Sequence, residues 1–75
     1  FKRMGVKAGV PDLFLPVPRG GHHGLFIELK SPDGKLSGHQ KEWLQMLAES
    51  GYAACVCFGF EEAVRDITHY LEGKI

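Results

Sequence analysis

The chain has 75 residues, 44% of them hydrophobic, and its basic and acidic side chains balance to a net charge of zero. This length predicts one small domain over residues 1–75, and the hydrophobic content excludes a disordered chain. No apolar run approaches the roughly 20 residues that a membrane-spanning helix needs, which excludes that class as well. Because Phe1 is not an initiator residue, we expect the chain to be truncated at its N-terminus.

The charges are unevenly distributed along the chain. Residues 1–41 carry seven basic and three acidic side chains, whereas residues 42–75 carry two basic and six acidic ones. A basic surface suits a polyanionic partner such as nucleic acid, although a short chain can also acquire such a bias by chance. The basic part of the chain contains the ionisable motif described below.

The first predicted elements form a hairpin. Residues 1–11 are basic and contain glycines, which indicates an irregular approach to the first strand. Residues 12–17 predict that strand, and two prolines close it. A glycine pair then predicts a turn before a second strand over residues 24–30. A turn this short favours antiparallel pairing of the two strands.

A helix is predicted after the polar loop that follows the hairpin. Ser37 and Gln40 have the spacing of a capping box, in which the serine lies at the N-cap and the glutamine at the third helical position. The helix is expected to end near Ser50, because Gly51 is the residue type that commonly follows a helix.

The remainder of the chain predicts one buried strand and one amphipathic helix. Residues 52–58 are almost continuously apolar, as in a strand covered on both faces. The helix is expected from Phe60 to about Gly73. Its predicted apolar face consists of Phe60, Ala63, Val64, Ile67 and Leu71.

The element order is therefore β-β-α-β-α. It predicts an α/β fold in which helices flank a small mixed three-stranded sheet. The helix between the second and third strands permits a crossover that places these strands side by side and parallel.

Cys55 and Cys57 are two residues apart on the predicted third strand. This spacing is too short for an easy disulfide, and two cysteines without suitably placed histidines make a poor zinc site. We interpret them as buried free thiols in a reducing compartment, such as the cytoplasm of a bacterial or phage-infected cell.

Three ionisable residues interrupt the hairpin. Glu28 and Lys30 share one face of the second strand because side chains alternate along a strand. The opposite face is expected to be a hydrophobic core face of Leu25, Ile27 and Leu29. Asp12 begins the neighbouring strand, and antiparallel pairing brings its start beside the end of the second strand. Asp12 and Glu28 can therefore converge on one cation.

Two carboxylates with a backbone carbonyl and waters form a hard oxygen site, which favours Mg²⁺ or Mn²⁺. Lys30 could then orient a water molecule or offset charge on a phosphoryl group. The alternative is a Glu28–Lys30 pair on a solvated face, with Asp12 capping a turn.

The pattern Pro11-Asp12…Glu28-Leu29-Lys30 resembles the PD-(D/E)XK nuclease motif. Residues 7–13, 24–30, 36–40 and 51–56 together resemble the virus-type replication-repair nuclease (VRR-NUC) domain. The resemblance implies a restriction-endonuclease-like core and a metal-dependent DNA endonuclease. It further implies branched, flap or junction DNA as substrate, in replication or repair.

The resemblance also assigns roles to individual residues. It makes Asp12, Glu28 and the Leu29 backbone carbonyl the metal ligands, Lys30 the catalytic lysine and Gln40 a helix glutamine that reaches the site. The family usually has an N-terminal helix with a further glutamate, which these residues lack. We expect that helix upstream of Phe1 or from a partner protomer, or else an inactive fragment.

Candidate contacts with nucleic acid are Lys7, Gly9, Lys35 and Lys41. Lys7 could meet a phosphate between glycines that permit close approach, although a plain flexible loop is an equal alternative. A homodimer is expected because one small unit offers limited surface to a duplex. Two other functional classes remain open, namely a catalytically silent nucleic-acid-binding module and a structural module that retains the nuclease fold.

Overall fold

Strands and helices follow the predicted order in the computed structural model of the chain, which describes residues 1–3 and 8–75. The elements are β1 (Lys2–Arg3), β2 (Leu13–Leu15), β3 (Leu25–Lys30), α1 (Gly38–Glu49), β4 (Ala53–Phe58) and α2 (Phe60–Leu71). The short strand β1 lies in a segment that we expected to be irregular. The strand predicted over residues 12–17 is shorter than expected and covers only Leu13–Leu15.

The sheet has the order β1-β2-β3-β4. The β2–β3 pair is antiparallel and the β3–β4 pair is parallel, so the predicted mixed sheet is confirmed. The two-residue strand β1 adds an antiparallel edge to it. Leu13 lies opposite Ile27 in the hairpin, and Glu28 lies opposite Val56 across the parallel pair. This register positions the candidate site at one end of β3.

The two helices cover opposite faces of the sheet. Leu25 and Ile27 lie in the main core on the α2 side. Glu28 faces α1, because its side chain contacts Gln40 of that helix. Leu29 was predicted in the core but is 40% exposed. The β2 ladder reaches only as far as Ile27, so no strand residue of β2 lies opposite Leu29.

The buried face of α2 differs from the predicted one. Phe60 is 81% exposed, and Val64 and Leu71 are also exposed. The helix instead packs on the sheet through Ala63, Ile67 and Tyr70, which have helical spacing. Tyr70 is fully buried. Its hydroxyl is satisfied there because it donates a hydrogen bond of 2.5 Å to the backbone carbonyl of Val17.

Local sequence signals define both ends of α1. The Ser37 hydroxyl accepts the backbone N–H of Gln40 at 3.1 Å, and the Gln40 side-chain oxygen accepts the backbone N–H of Ser37 at 2.9 Å. The predicted capping box is therefore present. Gly51 follows the helix with φ of +96°, and a Cβ there would lie 2.6 Å from the His23 ring. None of the helices in the described part of the chain is long and apolar enough to cross a membrane.

Candidate active site

Asp12 and Glu28 lie side by side at the open end of the β2–β3 hairpin. Because Leu13 pairs with Ile27, the residue before β2 lies opposite Glu28. Asp12 Oδ2 accepts the backbone N–H of Leu29 at 2.8 Å, which holds the carboxylate against the end of β3. The predicted convergence of the two carboxylates is thus a direct result of the hairpin register.

The Glu28 side chain is buried, and its two oxygens have different surroundings. The residue is only 3% exposed. Gln40 Nε2 donates a hydrogen bond of 3.0 Å to Glu28 Oε2, and Lys30 Nζ lies 3.6 Å from the same oxygen. Glu28 Oε1 is buried and has no hydrogen-bond partner among residues 1–3 and 8–75. Both donors therefore serve one oxygen, and the other is left for a ligand.

The electrostatics of the Asp12 and Glu28 carboxyl groups favour a bound cation. Burial raises the pKa of Glu28, and the neighbouring Asp12 charge raises it further. The Lys30 ammonium lowers the Glu28 pKa and only partly offsets these effects. A buried carboxylate oxygen normally has a partner, and two adjacent carboxylates repel each other unless a positive charge lies between them. A divalent cation meets both requirements, so the residues present fit such an ion.

The Leu29 backbone offers a third oxygen at the same edge. Within a strand, the N–H and C=O of one residue point toward the same neighbour. The Leu29 N–H points toward Asp12, so its carbonyl faces that side as well. The next carbonyl, that of Lys30, points the other way and accepts the backbone N–H of Gly59 at 3.0 Å. Carboxylate and carbonyl oxygens are the donors that Mg²⁺ and Mn²⁺ prefer.

Gln40 connects this site to the start of α1. Its amide oxygen accepts the Ser37 N–H in the capping box, so its amide nitrogen is turned toward Glu28. The capping contact and the contact with Glu28 therefore coexist in one conformation of Gln40. Ser37 was predicted only as a helix cap, and its part in orienting the amide was missed. The capping-box spacing was the available signal, because it fixes where the amide oxygen points.

The structure describes three of the four predicted nucleic-acid contacts. Lys35 and Lys41 are exposed, and Lys7 lies outside the described residues. Gly9 has φ of +87°, and a Cβ there would lie 2.7 Å from His39 Cβ and 2.8 Å from Trp43 Cδ1. Gly9 therefore lets the chain before Asp12 pass close to α1, which is a packing role that the sequence did not reveal.

Comparison with known proteins supports the resemblance seen in the sequence. The family model described as the VRR-NUC domain matches residues 1–61. A solved structure described as a VRR_NUC domain protein is 42% identical, with a TM-score of 0.86 over 91% of this chain. The match covers 57% of that protein's chain, so the present chain spans little more than half of its length. No curated protein matches the sequence.

Proposed function

The chain belongs to the VRR-NUC family, whose members generally have nuclease activity and use divalent metals, and we propose that it is a Mg²⁺- or Mn²⁺-dependent DNA endonuclease. The observation that carries this proposal is the buried Glu28 Oε1, which has no partner in the described part of the chain and lies beside Asp12. A fold gains no stability from such an arrangement, whereas a metal-dependent hydrolase can use such an oxygen to hold its ion.

Asp12, Glu28 and the Leu29 carbonyl would hold the ion. When bound, the ion would polarise a phosphoryl oxygen and lower the pKa of a water molecule. Asp12 keeps its place because Oδ2 is bonded to the Leu29 N–H. Glu28 keeps its place because Oε2 accepts from Gln40. Each carboxylate is thus oriented through one oxygen, and its second oxygen can face the ion.

Lys30 would contribute a positive charge from the protein to the site, in addition to that of the ion. Its side chain is 17% exposed, so the ammonium lies at the boundary between the buried Glu28 and solvent. From that position it can contact a phosphate and offset the negative charge that develops on phosphorus during attack. The ion pair with Glu28 also holds the ammonium near the reacting group in the absence of substrate.

The substrate assignment rests on the family resemblance, which favours branched, flap or junction DNA. The exposed Lys35 and Lys41 support a phosphate-contacting surface next to α1. We further propose a homodimer, because two sites could then act on two strands. The exposed apolar side chains Phe58, Phe60 and Val64 are available to such an interface.

The test is a cleavage assay with junction, flap and linear duplex DNA, in Mn²⁺ and in EDTA. We expect Mn²⁺-dependent cutting by the wild-type chain and loss of at least 99% of it in Lys30→Ala, about the contribution of one transition-state donor. Lys74→Ala is the matched control, because Lys74 is an exposed lysine that also pairs with a glutamate, Glu72. It should cut normally.

Two other results would redirect the proposal. DNA binding that persists in EDTA, with no cutting in Mn²⁺, would identify a silent nucleic-acid-binding module. Absence of DNA binding even at low salt would instead indicate a structural module. A monomer in analytical ultracentrifugation at micromolar concentration would contradict the homodimer.

A further inference from the structure

A second group of potential metal ligands lies on the other face of the sheet. Cys55 and Cys57 project from β4 toward α2, and Asp66 of α2 meets them. The two sulfur atoms are 3.9 Å apart, and Cys57 Sγ lies 3.4 Å from Asp66 Oδ2. All three potential ligand atoms lie within 4.8 Å of one another.

We propose that Cys55, Cys57 and Asp66 form a second metal site, which binds a thiophilic divalent ion of the zinc class. A tetrahedral zinc ion has Zn–S distances of about 2.3 Å and Zn–O distances of about 2.0–2.2 Å. Those bond lengths place two sulfur ligands about 3.8 Å apart, and a sulfur and an oxygen about 3.6 Å apart. The observed separations of 3.9 Å for Cys55–Cys57 and 3.4 Å for Cys57–Asp66 agree with these values to within about 0.2 Å. The third pair, Cys55 and Asp66, lies within 4.8 Å, and ion binding would bring its two ligand atoms to about 3.6 Å.

From the sequence we did not expect zinc, because two cysteines without suitably placed histidines make a poor site. The structure changes this interpretation, since docking of α2 adds a carboxylate as a third donor. Three protein donors would leave one position of a tetrahedral ion for water. Cys57 is fully buried, whereas Cys55 and Asp66 are partly exposed, so water could reach a bound ion from their side.

The charges at this site suit a divalent ion. Binding requires both thiols to lose their protons to solvent, because the thiolate is the ligand. Two thiolates and the Asp66 carboxylate then face one divalent ion. Arg65 Nε lies 3.2 Å from Asp66 Oδ1 and can orient the carboxylate so that Oδ2 remains for the metal.

This site is distinct from the proposed catalytic one in both position and chemistry. Cys57 lies opposite Leu29, and the adjacent Val56 lies opposite Glu28, so the two sites are on opposite faces of the same strand pair. The catalytic candidate offers hard oxygen donors, whereas this site offers sulfur. A metal here would join β4 to α2 and stabilise their packing, independently of nuclease activity.

A disulfide between the two cysteines fits the structure less well. A disulfide needs a sulfur–sulfur distance of about 2.05 Å. The observed 3.9 Å separation would have to shrink along an extended strand that is paired with β3. In the metal-free chain the Cys57 thiol donates to Asp66 and contacts the Cys55 thiol, and the same separation suits two sulfur ligands on one ion.

The test uses Co²⁺, a coloured substitute for zinc, added to the full chain after reduction with a phosphine. We expect an intense near-ultraviolet band from thiolate-to-cobalt charge transfer, produced by one Co²⁺ at the cysteine site in addition to any ion at the oxygen site, and Zn²⁺ should displace it. Cys55→Ala should remove the band. Asp66→Asn should weaken Co²⁺ binding at least tenfold, and Arg65→Ala about tenfold, as for outer-sphere partners of metal ligands.

Glu28→Gln is the matched control, because it changes the oxygen site and should leave the thiolate band unchanged. Absence of the band in the wild-type chain would overturn the proposal. So would a band that persists in Cys55→Ala. Circular dichroism of each variant separates loss of ligands from loss of fold. As a second measurement, Zn²⁺ should slow alkylation of Cys55 at least tenfold while Mg²⁺ should not, and equal alkylation rates would also overturn it.

Discussion

Gln40 Nε2 donates a hydrogen bond of 3.0 Å to Glu28 Oε2, and the other end of the same amide accepts the Ser37 N–H at 2.9 Å. The amide cannot reverse, because a flipped group would place a donor against the Ser37 N–H and an acceptor against the carboxylate. The start of α1 and the candidate active site are therefore fixed by a single side chain. This relationship makes helix capping and the contact with Glu28 separable by mutation.

Replacing Gln40 with glutamate should separate the two roles. Gln40→Glu retains an acceptor for the Ser37 N–H but places a carboxylate against Glu28 Oε2. We expect the free energy of unfolding in EDTA to fall by about 1–3 kcal/mol near neutral pH. The loss should shrink in acid, where the carboxyl groups are protonated. Chemical denaturation at several pH values measures both effects.

Gln45→Glu is the control for that substitution. Gln45 bonds Glu49 one turn away on the exposed face of α1, so its replacement also sets two carboxylates side by side. At the surface this contact should cost only about 0.2–0.5 kcal/mol. Equal losses in the two variants would contradict the buried contact between Gln40 and Glu28.

Removing the Ser37 hydroxyl should weaken the helix cap more than the site. Ser37→Ala loses the bond from the Gln40 N–H, which should cost about 1 kcal/mol of unfolding free energy. The Ser37 N–H still holds the Gln40 oxygen, so cleavage should fall far less than in Gln40→Ala. Ser50→Ala at the other end of α1 is the control, since the Ser50 hydroxyl donates to the Met46 carbonyl of the helix itself. If Ser37→Ala lost as much activity as Gln40→Ala, the backbone contact would not suffice to orient the amide.

The raised pKa of Glu28 gives stability a specific pH dependence when divalent ions are removed. Burial and the Asp12 charge raise this pKa above its ordinary value of 4.5, so the folded chain binds a proton more tightly than the unfolded chain. The stabilising contribution is complete below that ordinary value and is lost as the pH rises through the raised pKa. Glu28→Gln should remove this loss.

Urea denaturation in EDTA, from below pH 4.5 to neutral pH, measures this change in the free energy of unfolding. The wild-type chain should lose unfolding free energy with rising pH relative to Glu28→Gln. The opposite slope would mean that Lys30 and Gln40 outweigh burial, and that the Glu28 pKa is lowered in the folded chain.

Divalent ions should reverse the loss of unfolding free energy that rising pH causes in EDTA, and they should raise thermal stability. An ion at 100 times its dissociation constant adds about 2.7 kcal/mol to the unfolding free energy, which is about 10 °C or more in a domain of this size. The shift with Mg²⁺ should disappear in Asp12→Asn and in Glu28→Gln. Asp33→Asn, which changes an exposed loop carboxylate, should keep it. Scanning calorimetry with and without Mg²⁺ makes the comparison, and an equal shift in every variant would place the ion elsewhere.

The candidate site could be predicted largely because its parts are close in sequence. Asp12 and Glu28 belong to one hairpin, and a short turn leaves little choice of register. Gln40 follows from the capping box, which is itself a local pattern. That one Glu28 oxygen has no partner among the described residues could not be predicted, since burial depends on how α1 covers the sheet.

The amino-acid sequence alone determined the order of the principal strands and helices, the ends of α1 and the pairing of Asp12 with Glu28, because these depend on contacts within a few residues or across one turn. The tertiary structure decided which face of α2 is buried and which residue joins the two cysteines. An apolar stripe does not define the rotation of a helix, and Tyr70 could be buried only where the Val17 carbonyl accepts its hydroxyl. That same rotation placed Asp66 beside Cys57, and no local rule connects positions on separate elements.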